Sequence, residues 1–388
     1  MCEVFFIFIT SNYIITDSIM RKLILLALVF TFGLTLSDFN APAKSLDEKL
    51  PIRGLAVAAP TPQDMDLFVR FIKEELSPAK VNLLILRVDW GYAYESHPEL
   101  RDDNPLSRSD VERLVSVCRE NNIRLVPHIN LLGHQSWAKK TGPLLREYPE
   151  FDETPSVKTE EYEGWPNPQG LYCKSYCPLH PDVHKIVFEV VDELCDVFKS
   201  DAFHAGMDEV FYLGEKECPR CNGMDKAELY AGEVRAIHDH LALSGRQMMI
   251  WGDRLLDGRT TGLGEWEASY NGTWRAIDMI PKDILICDWH YVRSDLSGVF
   301  FAMKGLPVVS CGYQNPETSV QQVKDMVQFR SQTTQVTASK LQGYVHTIWS
   351  GSGRFLKGYY QKDEDPQKNS DAKALKAVLA YLKELSKE

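Results

Sequence analysis

From residue 51 onward the chain alternates short apolar, β-branched runs with longer stretches in which apolar residues recur at helical spacing. The runs are "RGLAVAA" (53–59), "NLLILRV" (82–88), "IRLVPHI" (123–129), "AFHAGMD" (202–208), "QMMIWGD" (247–253), "ILICDWH" (284–290), "LPVVSCG" (306–312) and "GYVHTIW" (343–349). Between the first two, "TPQDMDLFVRFIKEEL" (61–76) puts Pro62 in a first turn and Leu67, Phe68, Phe71 and Ile72 on one face of a helix. Further helical patterns begin at 107, 181 and 225, and another closes the chain. Eight such units predict an α/β fold, a single-domain (β/α)8 TIM barrel over residues 51–388. A doubly wound sheet fits less well, because "VAAPTPQD" follows the first run where a Gly-rich phosphate turn would stand.

Barrels of this kind carry their chemistry at the carboxyl ends of the strands. The runs here close on polar and aromatic residues: Asp89 and Trp90; His128, Asn130 and His134; His204, Asp208 and Glu209; Trp251 and Asp253; Asp288, Trp289 and His290; Tyr313 and Asn315; Trp349. A lone strand-end Trp is ordinarily packing, and a lone Asp a helix cap. Their convergence points instead to a carbohydrate pocket, in which aromatic faces cover the C–H faces of a sugar and carboxylates, His and Asn bond its hydroxyls. Asp208 and Glu209 are adjacent, and neighbours on a regular strand face opposite sides. Both reach one pocket only if the strand breaks between Gly206 and Asp208, so that one carboxylate meets a sugar's 2-substituent and the other its leaving group, as substrate-assisted hydrolysis requires.

Composition narrows the alternatives. At 44% hydrophobic and 11% aromatic, the chain can bury a sizeable core. A formal net charge of −11, without a basic stripe interleaved with aromatics, argues against a nucleic-acid partner. Met20, Arg21 and Lys22 precede an apolar run from Leu23 to Leu36 and then Ala41-Pro42-Ala43, so residues 1–43 read as a signal peptide or N-terminal anchor of an exported protein, periplasmic or extracellular. Apart from that anchor, no membrane partner is expected. Of the cysteines, Cys118, Cys195, Cys287 and Cys311 lie singly in apolar runs and suit a core, whereas "CKSYC" and "CPRC" are pairs. Cys173, Cys177, Cys218 and Cys221 could together hold a structural zinc, or form local disulfides, or stay free thiols. Clustered ligands for metal-dependent hydrolysis, such as HExxH, are not found.

With "HAGMDE" closing the fourth run, the sequence resembles glycoside hydrolase family 20, the β-N-acetylhexosaminidases, whose signature there is His-x-Gly-x-Asp-Glu. The likeness extends to Arg53 in "RGL", Asp89, His134 in "PHINLLGH", Trp251 in "IWGD", Trp289, Tyr313 and Asn315 in "GYQN", and Trp349 in "TIWSG". It implies an exo-acting, retaining enzyme in which Asp208 orients the substrate's own 2-acetamido group, Glu209 donates and later accepts the proton, and Tyr313 holds the acetamido oxygen. It further implies sugar binding by Arg53, Asp89, His134, Trp251, Trp289, Asn315 and Trp349, with His204 supporting the acidic pair, and a reaction that needs no cofactor. "DEVFYLGE" is similar to the hexosaminidase D branch, which leans toward the galacto sugar. Two departures stand out: strand one lacks the family's further Asp and Arg, and Ser350 and Gly351 follow Trp349 where a glutamate is common. A non-catalytic glycan-binding barrel is the other reading of these gaps.

Overall fold

The computed structural model describes residues 44–161, 173–361 and 370–387; the signal or anchor segment expected at 1–43 lies outside them. Eight parallel strands close into a barrel: β1 (Ile52–Ala58), β2 (Leu83–Arg87), β3 (Arg124–Leu131), β4 (Ala202–Gly206), β5 (Gln247–Trp251), β6 (Leu285–Trp289), β7 (Val308–Gly312) and β8 (Leu341–Ile348). Each pairs with its neighbours in sequence, and β1 closes the ring on β8, so all eight expected runs become strands of one sheet. No helix among the described residues is long and apolar enough to cross a membrane.

The runs are apolar throughout because a barrel strand is buried on both faces. Along β5 and β6, Met249, Trp251, Leu285, Cys287 and Trp289 fill the barrel with Val309 and Cys311, whereas Met248, Ile250, Ile284 and Ile286 join the larger core under the helices. Helix Arg108–Glu120 shows how that outer layer is specified: a capping box between Ser107 and Asp110 starts it, and Val111, Leu114, Val117 and Cys118 bury one face. Gly54 of β1 is a packing requirement, since a Cβ there would lie 2.7 Å from Val345 on β8.

β4 departs from regularity where function was expected. It stops at Gly206, whose φ is +68°, and Met207 (+69°) and Glu209 (+49°) are also left-handed. A Cβ at 206 would come within 2.2 Å of Asn130 Oδ1, so only glycine fits this corner. The facing strand answers in kind: the β3–β4 register shifts between His128 and Leu131, and Leu132 (+62°) and His134 (+54°) turn left-handed beyond it.

Candidate active site

A cavity of about 880 Å³ opens at the carboxyl end of the barrel. Asp208, Glu209 and His134 line it together with Arg87, Asp89 and Asn130. Trp289, Tyr291 and Trp349 supply aromatic surface, Trp90 and Trp137 supply more, and Arg101, Asp102 and Arg146 add charge from the loops. The aromatic group is braced from within: Trp349 Nε1 donates to the Tyr291 hydroxyl at 2.7 Å, and the Arg87 guanidinium lies 5.2 Å from the Trp349 ring while donating to its carbonyl at 3.1 Å.

The broken strand does what adjacency demanded. Asp208 and Glu209 are both buried, at 6% and 8% exposure, yet both line the same cavity. One imidazole nitrogen bridges them: His134 Nε2 lies 3.1 Å from Asp208 Oδ2 and 3.2 Å from Glu209 Oε2, while its Nδ1 meets Cys173 Sγ at 3.1 Å. Burial opposes a charge on His134, but Cys173 and Asp208 outweigh it and hold the imidazole well above its ordinary value. Burial likewise opposes the Asp208 anion, and the neighbouring His134 overrides it, keeping that carboxyl below its usual range.

Asp253, just past β5, sets the Glu209 backbone. Its Oδ2 accepts from Glu209 N–H at 2.9 Å and Arg254 Nε–H at 2.6 Å, and its Oδ1 accepts from Trp289 Nε1–H at 3.2 Å. One buried carboxylate thereby ties the left-handed Glu209 to an aromatic wall residue. Burial pushes the Asp253 carboxyl up to about 6, against the pull of Arg254.

Of the residues expected to form the site, Asp89, His134, Asp208, Glu209, Trp289 and Trp349 line the cavity. Five others do not. Arg53 is the second residue of β1, at the opposite end of the barrel, where its guanidinium donates to the carbonyls of Leu50 (2.6 Å) and Lys80 (2.7 Å) and pairs with Asp47 (2.8 Å). Trp251 ends β5 in register with Cys287 of β6, two residues short of Trp289, and is core at 1% exposure. His204, fully buried, packs 4.5 Å from Trp251 inside the barrel rather than against the cavity. Asn315 caps helix Pro316–Ser331, its side chain accepting from Thr318 N–H. Tyr313 stands behind Tyr291, ring centres 5.2 Å apart, with its hydroxyl accepting from Gln314 Nε2–H at 2.9 Å.

The proposed four-cysteine set is also redrawn. Cys173 belongs to His134, while Cys177, Cys218 and Cys221 gather around Glu153; the eight described cysteines are free thiols. Arg87, Tyr291 and Trp137 escaped the sequence reading as site residues, and Asp253 was named there only as a strand-end group without a role. Arg87 and Tyr291 each sit two positions from a residue that was singled out, Asp89 and Trp289, so proximity to a strand end was their only signal.

A (β/α)8 barrel with paired carboxylates and aromatic walls at the carboxyl ends of its strands has the architecture of a glycoside hydrolase. The chain belongs to glycosyl hydrolase family 20, whose catalytic-domain model matches residues 89–353. A beta-hexosaminidase of Emericella nidulans is 26% identical over 267 residues, 62% of this chain and 40% of that protein. Hexosaminidase D of Bos taurus is 24% identical over 186 residues, 45% of this chain and 48% of that protein. The chain thus spans less than half the length of either relative. The barrel superposes on the chitobiase of Flavobacterium johnsoniae with a TM-score of 0.58 at 18% identity, covering 87% of this chain and 51% of that one. At such identity the superposition establishes the shared fold.

Proposed function

We propose that the chain is an exo-acting β-N-acetylhexosaminidase that removes terminal N-acetylglucosamine or N-acetylgalactosamine with retention of configuration. The observation that carries this is the single imidazole nitrogen within 3.2 Å of both acidic side chains. Carboxylates that attack and protonate a glycosidic bond stand apart with the sugar between them. Here one imidazole holds both acids, an arrangement that favours a nucleophile supplied by the substrate's own 2-acetamido group.

In this reading Asp208, kept anionic by His134, accepts the acetamido N–H and aims the carbonyl oxygen at the anomeric carbon. That oxygen bonds to the carbon as the glycosidic C–O bond breaks, and Glu209 gives its proton to the departing oxygen. Glu209, now a carboxylate, takes a proton from water, which attacks the same carbon and breaks its bond to the acetamido oxygen; two inversions leave the configuration retained. Holding the acetamido group in place converts attack into an intramolecular step. Trp289, Tyr291 and Trp349 would seat the sugar face, the Tyr291 hydroxyl replaces Tyr313 as the phenol within the cavity, and Arg87 with Asp89 would meet the outer hydroxyls in place of Arg53. No step calls for a cofactor. Export through the segment at 1–43 would deliver the barrel to extracytoplasmic glycans, and N-terminal sequencing of the mature protein checks that cleavage.

The test is release of 4-nitrophenol from the paired N-acetyl-β-glucosaminide and N-acetyl-β-galactosaminide, beside the glucoside that has a 2-hydroxyl. Cleavage of either acetamido substrate but not the glucoside, lost in Glu209→Gln, supports the reading. Saturable binding without release would establish a glycan-binding barrel instead.

A further inference from the structure

Three thiols and a carboxylate converge away from the cavity, in two loops that also build its wall. Cys177 Sγ lies 3.4 Å from Cys218 Sγ and 4.0 Å from Cys221 Sγ, and Cys221 Sγ lies 2.9 and 3.0 Å from the two carboxylate oxygens of Glu153. All four side chains are buried, Glu153 completely. Glu153 Oε1 also accepts the backbone N–H of Glu215 at 2.9 Å, but among the described residues no Lys, Arg or His pairs with this carboxylate. A carboxylate withdrawn from water is costly unless a cation balances it.

We infer that Glu153, Cys177, Cys218 and Cys221 form a structural Zn²⁺ site. Tetrahedral zinc with Zn–S bonds of about 2.3 Å sets its sulfurs about 3.8 Å apart. The two S···S distances of 3.4 and 4.0 Å fall on either side of that value. Within "CPRC" the two cysteines have the spacing of a zinc knuckle half, and Pro219 and Arg220 form the turn between them. A disulfide accounts for the cluster less well: it would consume two of three sulfurs and leave the third beside a buried carboxylate still without a cation.

The ion would have a defined mechanical role. Glu153 and Cys177 lie in the connection after β3, Cys218 and Cys221 in the connection after β4, so one metal cross-links the two segments that carry His134 and Glu209. Cys177 is four residues from Cys173, whose sulfur touches His134 at 3.1 Å and approaches Glu209 at 4.0 Å. Zinc would therefore hold the wall from which Cys173 reaches the catalytic floor, without taking part in the reaction. The proposal stands on these four side chains and holds whether or not the cavity hydrolyses glycosides.

The test is metal analysis of the purified full-length protein under reducing conditions, with cobalt substitution as a spectroscopic readout. About one zinc per chain is expected, and cobalt should give the visible bands of a tetrahedral thiolate site. Cys218→Ser should abolish those bands and Cys173→Ser should leave them unchanged. Glu153→Gln, the gentler variant, should lower zinc affinity at least about tenfold while keeping the thiolate bands. Chelation should lower the melting temperature of wild type but not of Cys218→Ser. Absence of zinc together with failure to take up cobalt overturns the site, as does peptide mapping that finds any two of the three cysteines disulfide-bonded in the native protein.

Discussion

Arg53 and Arg87 lie on adjacent strands and meet opposite fates. Arg53, near the start of β1, is wrapped in the carbonyls of Leu50, Pro51 and Lys80 and pairs with Asp47, far from the cavity. Arg87, the last residue of β2, leans on Trp349, lies 3.7 Å from Asp89 and lines the cavity. The same contrast runs through the backbone. At the amino end, left-handed residues such as Lys80, Asn122 and Lys199 are exposed turn or helix-end positions. At the carboxyl end, Asp89, Leu132, His134, Ala138, Met207 and Glu209 adopt the same costly conformation, and Asp89, His134 and Glu209 line the cavity. One end of the barrel is built for polar satisfaction, while the other concentrates buried acids and backbone strain where a reaction would use them.

The largest effect that sharpens this contrast is expected at Glu209. Glu209→Gln keeps the shape of the side chain and removes its proton, so kcat should fall by about 10³-fold or more while the melting temperature holds. A variant that keeps more than a tenth of wild-type kcat would remove Glu209 from the general acid role.

Arginine replacement at the two ends should separate stability from binding. Arg53→Ala strips several buried carbonyls of their donor and should cost about 3 kcal/mol in urea unfolding, with kcat/KM of the folded protein unchanged. Arg87→Ala should do the reverse, raising KM about tenfold with less than about 1 kcal/mol lost. If Arg53→Ala raised KM while stability held, the assignment of the two ends would be wrong.

That pair also shows what the sequence could reveal. Parallel barrel strands are buried on both faces, so they stand out as apolar runs, and all eight were legible. The break at Gly206 was legible too, because two adjacent carboxylates cannot share a pocket from a regular strand. Depth along the barrel axis was not. Trp251 and Trp289 both end strands, but stagger sets Trp251 opposite Cys287, one layer lower. Arg53 precedes a glycine in an apolar run, and nothing local says that it belongs to the strand's first turn of hydrogen bonds rather than its last. The partner of the three cysteines was hidden for another reason: Glu153 lies 24 residues before Cys177, and only the fold brings them together.

The crowding of acids at the carboxyl end should make its stability depend on pH. Burial pushes the Asp253 carboxyl up to about 6 in the folded protein, above the value near 3.9 of an unfolded aspartate. Between these values the native state holds the extra proton, so its contribution is complete below about pH 4 and is lost as pH rises through about 6. Wild type should therefore lose on the order of 2 kcal/mol relative to Asp253→Asn between pH 4 and 7. Denaturant titrations of both proteins across that range provide the check, and a difference that stays flat would show that Asp253 is already ionised at acid pH.

The smallest effect separates two tyrosines whose rings touch. Tyr291 lines the cavity and its hydroxyl accepts a hydrogen bond from Trp349 Nε1, so Tyr291→Phe removes both a phenol of the cavity wall and the brace on an aromatic neighbour. One neutral hydrogen bond is worth about 1 kcal/mol, so kcat/KM should fall about five- to tenfold. Tyr313 sits one ring further out with its hydroxyl on Gln314, and Tyr313→Phe should leave kcat/KM within about twofold of wild type. Should the two results be exchanged, the acetamido oxygen would be held by Tyr313 after a movement that carries its ring past Tyr291, and this form of the cavity would have to rearrange before it could bind the sugar.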